Sequence, residues 1–193
     1  MGNREVVTEF NKTEFSKFLA YILRHHPEEI GLQLQESGWV DTSELLNAIN
    51  NNANSNYSIT FDMLNNVVQT DEKQRYSFKE GNSYIRANQG HSIKNLNMNY
   101  SEITPPDKLF HGTSERALRD ILSSGSIKSM QRQYVHLSHD YDIAIKVGKR
   151  HGKPVVLCID CNKAINSGVK FYMAENGVYL STEIPTNCFN IVA

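Results

Sequence analysis

The sequence predicts an α+β protein in two lobes, and three observations carry that expectation. Amphipathic helical periodicity dominates the first half, short β-type runs dominate the second, and a polar stretch containing two prolines separates them. A length of 193 residues suits one medium domain or two small ones sharing an interface. With 39% hydrophobic residues, eight Phe, nine Tyr and Trp39, the chain has the apolar material for a buried core.

The segment from Asn11 to His25 sets Phe15, Phe18, Leu19, Ile22 and Leu23 at three-and-four spacing. Asn11 and Glu14 stand as a helix cap and its reciprocal partner, and Pro27 ends the helix. Asp41 and Glu44 repeat that arrangement ahead of Leu45, Leu46 and Ile49, so a second helix is expected, followed by a polar loop over residues 50–56. Thr60 to Val68, with Phe61, Leu64, Val67 and Val68, reads as a third helix. RYSF and YIRA then flank turn residues 79–83 as a hairpin. Helices followed by a hairpin suggest a winged-helix module.

The linker falls at residues 95–107, where Pro105 and Pro106 can continue neither a helix nor a central strand. The expected division is therefore 1–94 for the first lobe and 108–193 for the second. Beyond the linker come LFHGT, a helix from Ser114 to Leu122, YVHLS, a helix near Tyr141 to Arg150, PVVLCID and VKFYMAENGVYLS. Short strands with two inserted helices read as α+β.

Charge and composition exclude several classes. Twenty Lys and Arg against 21 Asp and Glu argue against a protein that coats nucleic acid through bulk positive charge, while leaving a local basic site open. No apolar run approaches the roughly 18 residues needed to cross a bilayer, and MGNREVVTEFNK lacks the apolar centre of a signal peptide. Three Cys suit a reducing compartment, so the expectation is a cytoplasmic protein without a membrane segment, with Cys158, Cys161 and Cys188 as thiols. The CIDC pair has no second Cys pair, and a strand would send its two thiols to opposite faces, so no metal site is expected. Neither GxGxxG nor GxxxxGK[ST] occurs, so any nucleotide is held in another way.

Several residues could carry chemistry. Arg24 and His25 fall at a helix carboxyl end, where cations complement the helix dipole, and they could equally grip a phosphate. Arg86 lies on a strand ahead of Gln89, Gly90, His91 and Ser92, either a solvated wing or a polar cluster that Gly90 lets a ligand approach. His111, Gly112 and Thr113 end an apolar strand just before a helix, where backbone N–H groups could meet a ligand, although His111 could also be a satisfied core histidine. Arg132 precedes a strand carrying His136, Leu137 and Ser138.

Taken in order, SKFLAYILRHHPEEIGLQL, GWVDTSELL, YIRANQGHSI, LFHGTS, YVHLS, VGKRHGKPVVL and NGVYLS resemble the NAD-dependent RNA 2′-phosphotransferase family. The resemblance spans roughly residues 14–190, and its ordered blocks are far more specific than any one of them. It implies an amino-terminal winged-helix lobe and a carboxy-terminal lobe with the ADP-ribosyltransferase fold. It also implies removal of an internal 2′-phosphate from RNA of the spliced-tRNA type. NAD is then the co-substrate, no metal is needed, and the chain acts as a monomer.

By motif match, Arg24, His25, Arg86 and Arg132 occupy the family's catalytic positions. The first three would hold the phosphate, and Arg132 would also stabilise charge in the second step. His111, Gly112, Thr113, His136, Leu137, Ser138 and Arg150 would contact NAD, with Gly112 letting the backbone come close. The chain departs from the family at Tyr179, where Trp is common, a change that keeps an aromatic body.

Two other readings compete. A mono-ADP-ribosyltransferase would use Glu183 and would not need Arg24, His25 and Arg86. A DNA-binding regulator would want a basic recognition helix, yet residues 60–70 contain no Lys or Arg.

Overall fold

The computed structural model describes residues 10–52 and 57–192 and divides into two compact units, one running to Asn97 and the other from Met98.

In the first unit, α1 (Lys12–Arg24) begins where the Asn11 side chain accepts the Glu14 amide at 3.1 Å. The reciprocal half of that cap is not formed, because the Glu14 carboxylate is taken by Lys17 at 2.7 Å. The helix stops at Arg24, three residues before Pro27, which opens a 3-10 turn (Pro27–Ile30). His26 leaves the helical region, as a residue ahead of proline does. After β1 (Val40–Asp41), the Asp41 carboxylate caps α2 (Thr42–Asn51) through the Glu44 amide at 2.9 Å. Asn50 and Asn51 therefore continue the helix rather than starting the expected loop, while residues 53–56 lie outside the described residues. Thr60 caps α3 (Phe61–Gln69).

β2 (Tyr76–Lys79) and β3 (Tyr84–Ala87) form an antiparallel hairpin, and β1 pairs with the free edge of β3 to give the order β1-β3-β2. Phe15, Leu19, Ile22 and Leu23 of α1 pack with Leu45, Ile49, Leu64 and Ile85 into a core with no solvent exposure. That stripe is the one the helical spacing predicts.

The second unit carries β4 (Ser101–Glu102), β5 (Lys108–Ser114), α4 (Glu115–Ser124), β6 (Ser126–Ile127), β7 (Val135–Leu137), α5 (Tyr141–Gly148) and β8 (Pro154–Asp160). It ends with α6 (Cys161–Asn166), β9 (Phe171–Met173), β10 (Tyr179–Ser181), β11 (Ile184–Pro185) and β12 (Phe189–Ile191). Its sheets run β4-β9-β10-β7, β12-β8-β5 and β11-β6. The first two meet where Phe110 and Ser138 exchange backbone bonds of 2.7 and 2.9 Å. Leu109, Leu157, Ile159, Phe171 and Ile184 form the core.

Two differences from expectation have local causes. β4 lies inside the stretch read as linker, because Ser101 and Glu102 pair with β9 before the prolines begin. A third helix, α6, starts at Cys161, where Asp160 caps it through the Lys163 amide at 2.9 Å. Cys161 thus leaves the strand that carries Cys158, and burial pushes its thiol up to about 12.

Candidate active site

In the first unit a polar cluster assembles from a helix end, a strand and the loop that follows it. Arg24 is the last residue of α1 and His25 its cap, whose amide donates to the Tyr21 carbonyl at 3.0 Å. On β3 the neighbours Ile85 and Ala87 turn into the core, so Arg86 turns to the other face. There its Nη1 donates to the Ser37 carbonyl at 3.0 Å, and its guanidinium lies 4.5 Å from the centre of the Trp39 ring. The guanidinium is thereby held over the ring and buried, with a planar fork that a Lys could not reproduce.

The loop after β3 is anchored at Asn88, whose amide donates to the Arg75 carbonyl at 2.8 Å and whose side chain donates to the Gln74 carbonyl at 2.7 Å. Gly90 adopts φ +91°, and a Cβ there would stand 3.6 Å from Arg24 Cδ and Nη1. Glycine is used for its left-handed backbone, and the side chain nearest to it is Arg24. Next, Ser92 ties the loop to the helix end twice: its amide donates to the Arg24 carbonyl at 3.0 Å, and its Oγ lies 2.9 Å from His25 Nδ1.

Between these contacts His91 is 2% exposed, with both ring nitrogens buried and lacking a hydrogen-bond partner. Burial first, and then the charges of Arg24, His25 and Arg86, depress its pKa to about 3. The cluster therefore combines three side chains able to carry positive charge with one imidazole that stays neutral. Such a set can hold a compact dianion through charge-assisted bonds.

In the second unit the His-Gly-Thr stretch lies at the end of β5. His111 Nδ1 donates to the His136 carbonyl at 3.1 Å, which leaves its Nε2 as an acceptor when the ring is neutral. Burial pushes its pKa down, against the opposing effect of that bond. His136 Nδ1 in turn donates to the Tyr134 carbonyl at 3.1 Å. Thr113 is buried, Leu137 points into the core, and the Ser138 hydroxyl caps the Asp140 amide at 3.0 Å.

Gly112 carries two separate features. A Cβ on it would fall 1.8 Å from the Ala144 carbonyl oxygen, so the glycine admits the α5 backbone. The close approach expected of a ligand at that face is made by the helix instead. Its backbone groups have another direction. Phe110 spends its amide and carbonyl on Ser138, so Gly112, two residues on, presents its own to the same edge, beyond that single bridge. Opposite it, Val156 turns its carbonyl away to the Val192 amide at 2.9 Å.

Arg132 is an exposed residue of the turn before β7, closed by its amide to the Ser129 carbonyl at 3.1 Å. Arg150 is exposed in the 3-10 turn Lys149–His151. Glu183 is exposed and its carboxylate accepts the Ser126 hydroxyl. Among the described residues no group of three or more His, Cys, Asp or Glu could hold a metal ion, and no helix is long and apolar enough to cross a membrane.

The first unit thus brings Arg24, His25 and Arg86 together, and the second brings His111 beside His136 and Ser138. The sequence placed Ser92 in the polar loop after Arg86 but did not pair it with His25, because the two lie 67 positions apart and no spacing rule reaches that far.

By fold and site, this is a two-unit protein of mixed helix and sheet whose first unit gathers Arg24, His25 and Arg86 into one cluster. The chain belongs to the RNA 2′-phosphotransferase, Tpt1/KptA family, whose profile matches residues 11–183. It is 45% identical to the probable RNA 2′-phosphotransferase of Acaryochloris marina over 90% of this chain and 93% of that one. The protein of the same description from Agrobacterium fabrum is 42% identical over 94% and 95% of the two chains. That from Fusobacterium nucleatum is 42% identical over 91% and 96%.

Proposed function

We propose that the protein removes an internal 2′-phosphate from RNA, of the kind left at a splice junction in tRNA, with NAD as co-substrate. The observation that carries the reading is the gathering of Arg24, His25 and Arg86 around the neutral His91 ring. A phosphate monoester bears about −1.5 to −2 charges near neutral pH, and a nucleophilic phosphate must be both bound and oriented. A guanidinium held over the Trp39 ring suits that task because its fork meets two oxygens at once.

In the first step of this reading a 2′-phosphate oxygen attacks the ribose carbon that bears nicotinamide. The C–N bond breaks and an ADP-ribosylated RNA phosphate forms. In the second, the adjacent ribose hydroxyl attacks phosphorus, and the RNA leaves with a free 2′-OH as ADP-ribose 1″,2″-cyclic phosphate forms. Arg24, His25 and Arg86 hold the phosphate throughout, and Arg132 stabilises charge during the second step.

One feature of the second unit supports a dinucleotide site. The amide and carbonyl of Gly112, on the open edge of β5, offer a donor and an acceptor to a carboxamide. His111, Thr113, His136, Leu137, Ser138 and Arg150 belong to the same proposed NAD site, with Leu137 contributing backbone alone. We read the first unit as a winged helix, from its three helices and β1-β3-β2 sheet, and the second as an ADP-ribosyltransferase-like fold.

The test is dependence on NAD. Purified protein should remove the phosphate from a short RNA bearing one internal 2′-phosphate only when NAD is added, and Arg24→Ala and Arg86→Ala should each abolish it. Removal that proceeds without NAD would overturn the reading.

A further inference from the structure

Four histidines are held at Nδ1, His26 by the Glu28 carboxylate at 3.0 Å and the other three in two different ways. His111 and His136 donate from Nδ1 to main-chain carbonyls at 3.1 Å. A carbonyl only accepts, so each neutral ring must carry its proton on Nδ1 and leave Nε2 bare. His25 is different, because the group 2.9 Å from its Nδ1 is the Ser92 hydroxyl. A hydroxyl can donate to a neutral ring and accept from a charged one.

Ser92 is also fixed in place by its own amide, which donates at 3.0 Å to the carbonyl of Arg24, the residue before His25. The hydroxyl is thus tied to the same helix end that carries the ring it meets. We infer that Ser92 is a positioning residue for His25, orienting the ring and keeping the proton on Nε2 so that this nitrogen donates to the RNA 2′-phosphate.

The inference rests on the function proposed above, since it supplies the phosphate that Nε2 meets. With the ring neutral, Ser92 donates to Nδ1 and Nε2 carries the hydrogen. With the ring charged, Nδ1–H donates to Ser92 and Nε2 still carries its hydrogen. In both states the phosphate meets a donor, whereas a carbonyl in place of the hydroxyl would leave the neutral ring presenting a lone pair to an anion.

The test uses the full chain labelled with ¹⁵N in its histidine rings. Long-range ¹H–¹⁵N spectra, recorded without substrate at a pH where the ring is neutral, report which nitrogen is protonated. His25 is expected as the Nε2–H form in the unaltered protein, as a mixture of forms in Ser92→Ala, and again as Nε2–H in Ser92→Thr. With NAD and a 2′-phosphorylated RNA, Ser92→Ala should lower kcat/KM for the RNA roughly five- to tenfold, the worth of one lost hydrogen bond, and Ser92→Thr should restore most of it. A merely structural tie would lower the melting temperature of Ser92→Ala without changing the protonated nitrogen. That result, or an Nδ1–H ring in the unaltered protein, overturns the inference. The spectra need no substrate, so failure of the unaltered protein to remove phosphate would overturn the functional reading while the ring form still decides what Ser92 does to His25.

Discussion

Replacing Gly112 with Ala asks what the missing side chain makes room for. A Cβ at that position would stand 1.8 Å from the Ala144 carbonyl oxygen, 2.6 Å from its carbon and 3.1 Å from its Cα. Ordinary carbon-to-oxygen contacts begin at about 3.3 Å, so α5 would have to move away by about 1.5 Å. The helix also lies close to the sheet at its other end, where a Cβ on Gly148 would stand 2.5 Å from the Thr113 carbonyl oxygen and 3.1 Å from Pro154 Cβ. Both contacts are with rigid main chain or proline, which places the cost at the upper end of overpacking, about 3 kcal/mol. The smaller conformational freedom of an unfolded Ala offsets at most about 1 kcal/mol of that. Urea unfolding followed by circular dichroism should therefore show Gly112→Ala destabilised by about 2 kcal/mol, a midpoint lowered by about 1 M. An unchanged midpoint with weakened NAD binding would refute the reasoning and show that the space serves a ligand.

Three further outcomes are expected. Arg86→Lys keeps the charge but loses the stack on Trp39 and the fixed bond to the Ser37 carbonyl, so kcat/KM for a 2′-phosphorylated RNA should fall about tenfold or more; wild-type kinetics would contradict the role of the planar group. Arg132→Ala should let ADP-ribosylated RNA accumulate on a denaturing gel, whereas Arg24→Ala should weaken engagement of the phosphate; equal loss of both steps in Arg132→Ala would count against its separate role. The third concerns acid stability. His91 titrates at 6.5 when unfolded and at about 3 when folded, so between those values the unfolded chain binds more protons and stability drops as pH falls. Relative to His91→Gln, the unaltered protein should lose up to about 1.4 kcal/mol per pH unit across that window, and parallel unfolding curves would contradict it.

What the sequence made legible was local. Asn11, Asp41 and Thr60 each cap the helix expected after them, because capping is a contact over three residues and needs no tertiary information. The hairpin of β2 and β3 was equally readable from alternation around a turn. Arg24, His25 and Arg86 were readable as ordinary residues of a helix end and a strand, and only the family resemblance joined them. The tie between His25 and Ser92 and the stacking of Arg86 on Trp39 depend on how distant segments pack, which no period encodes. The same limit explains the packing use of Gly112, whereas the Asp160 cap that starts α6 is as local as the other three and was legible in principle. Cys161 leaves the strand because Asp160 caps a turn, and Gly112 is fixed by a helix that begins 29 positions later at Tyr141.

The most direct measurement of the central claim is the mass of both products after the purified protein meets NAD and an RNA carrying one internal 2′-phosphate. The account predicts RNA lighter by one phosphate, free nicotinamide, and ADP-ribose cyclic phosphate in equal amounts. RNA that instead retains ADP-ribose, with its phosphate still attached, would contradict it and make the protein a transferase that stops after the first step.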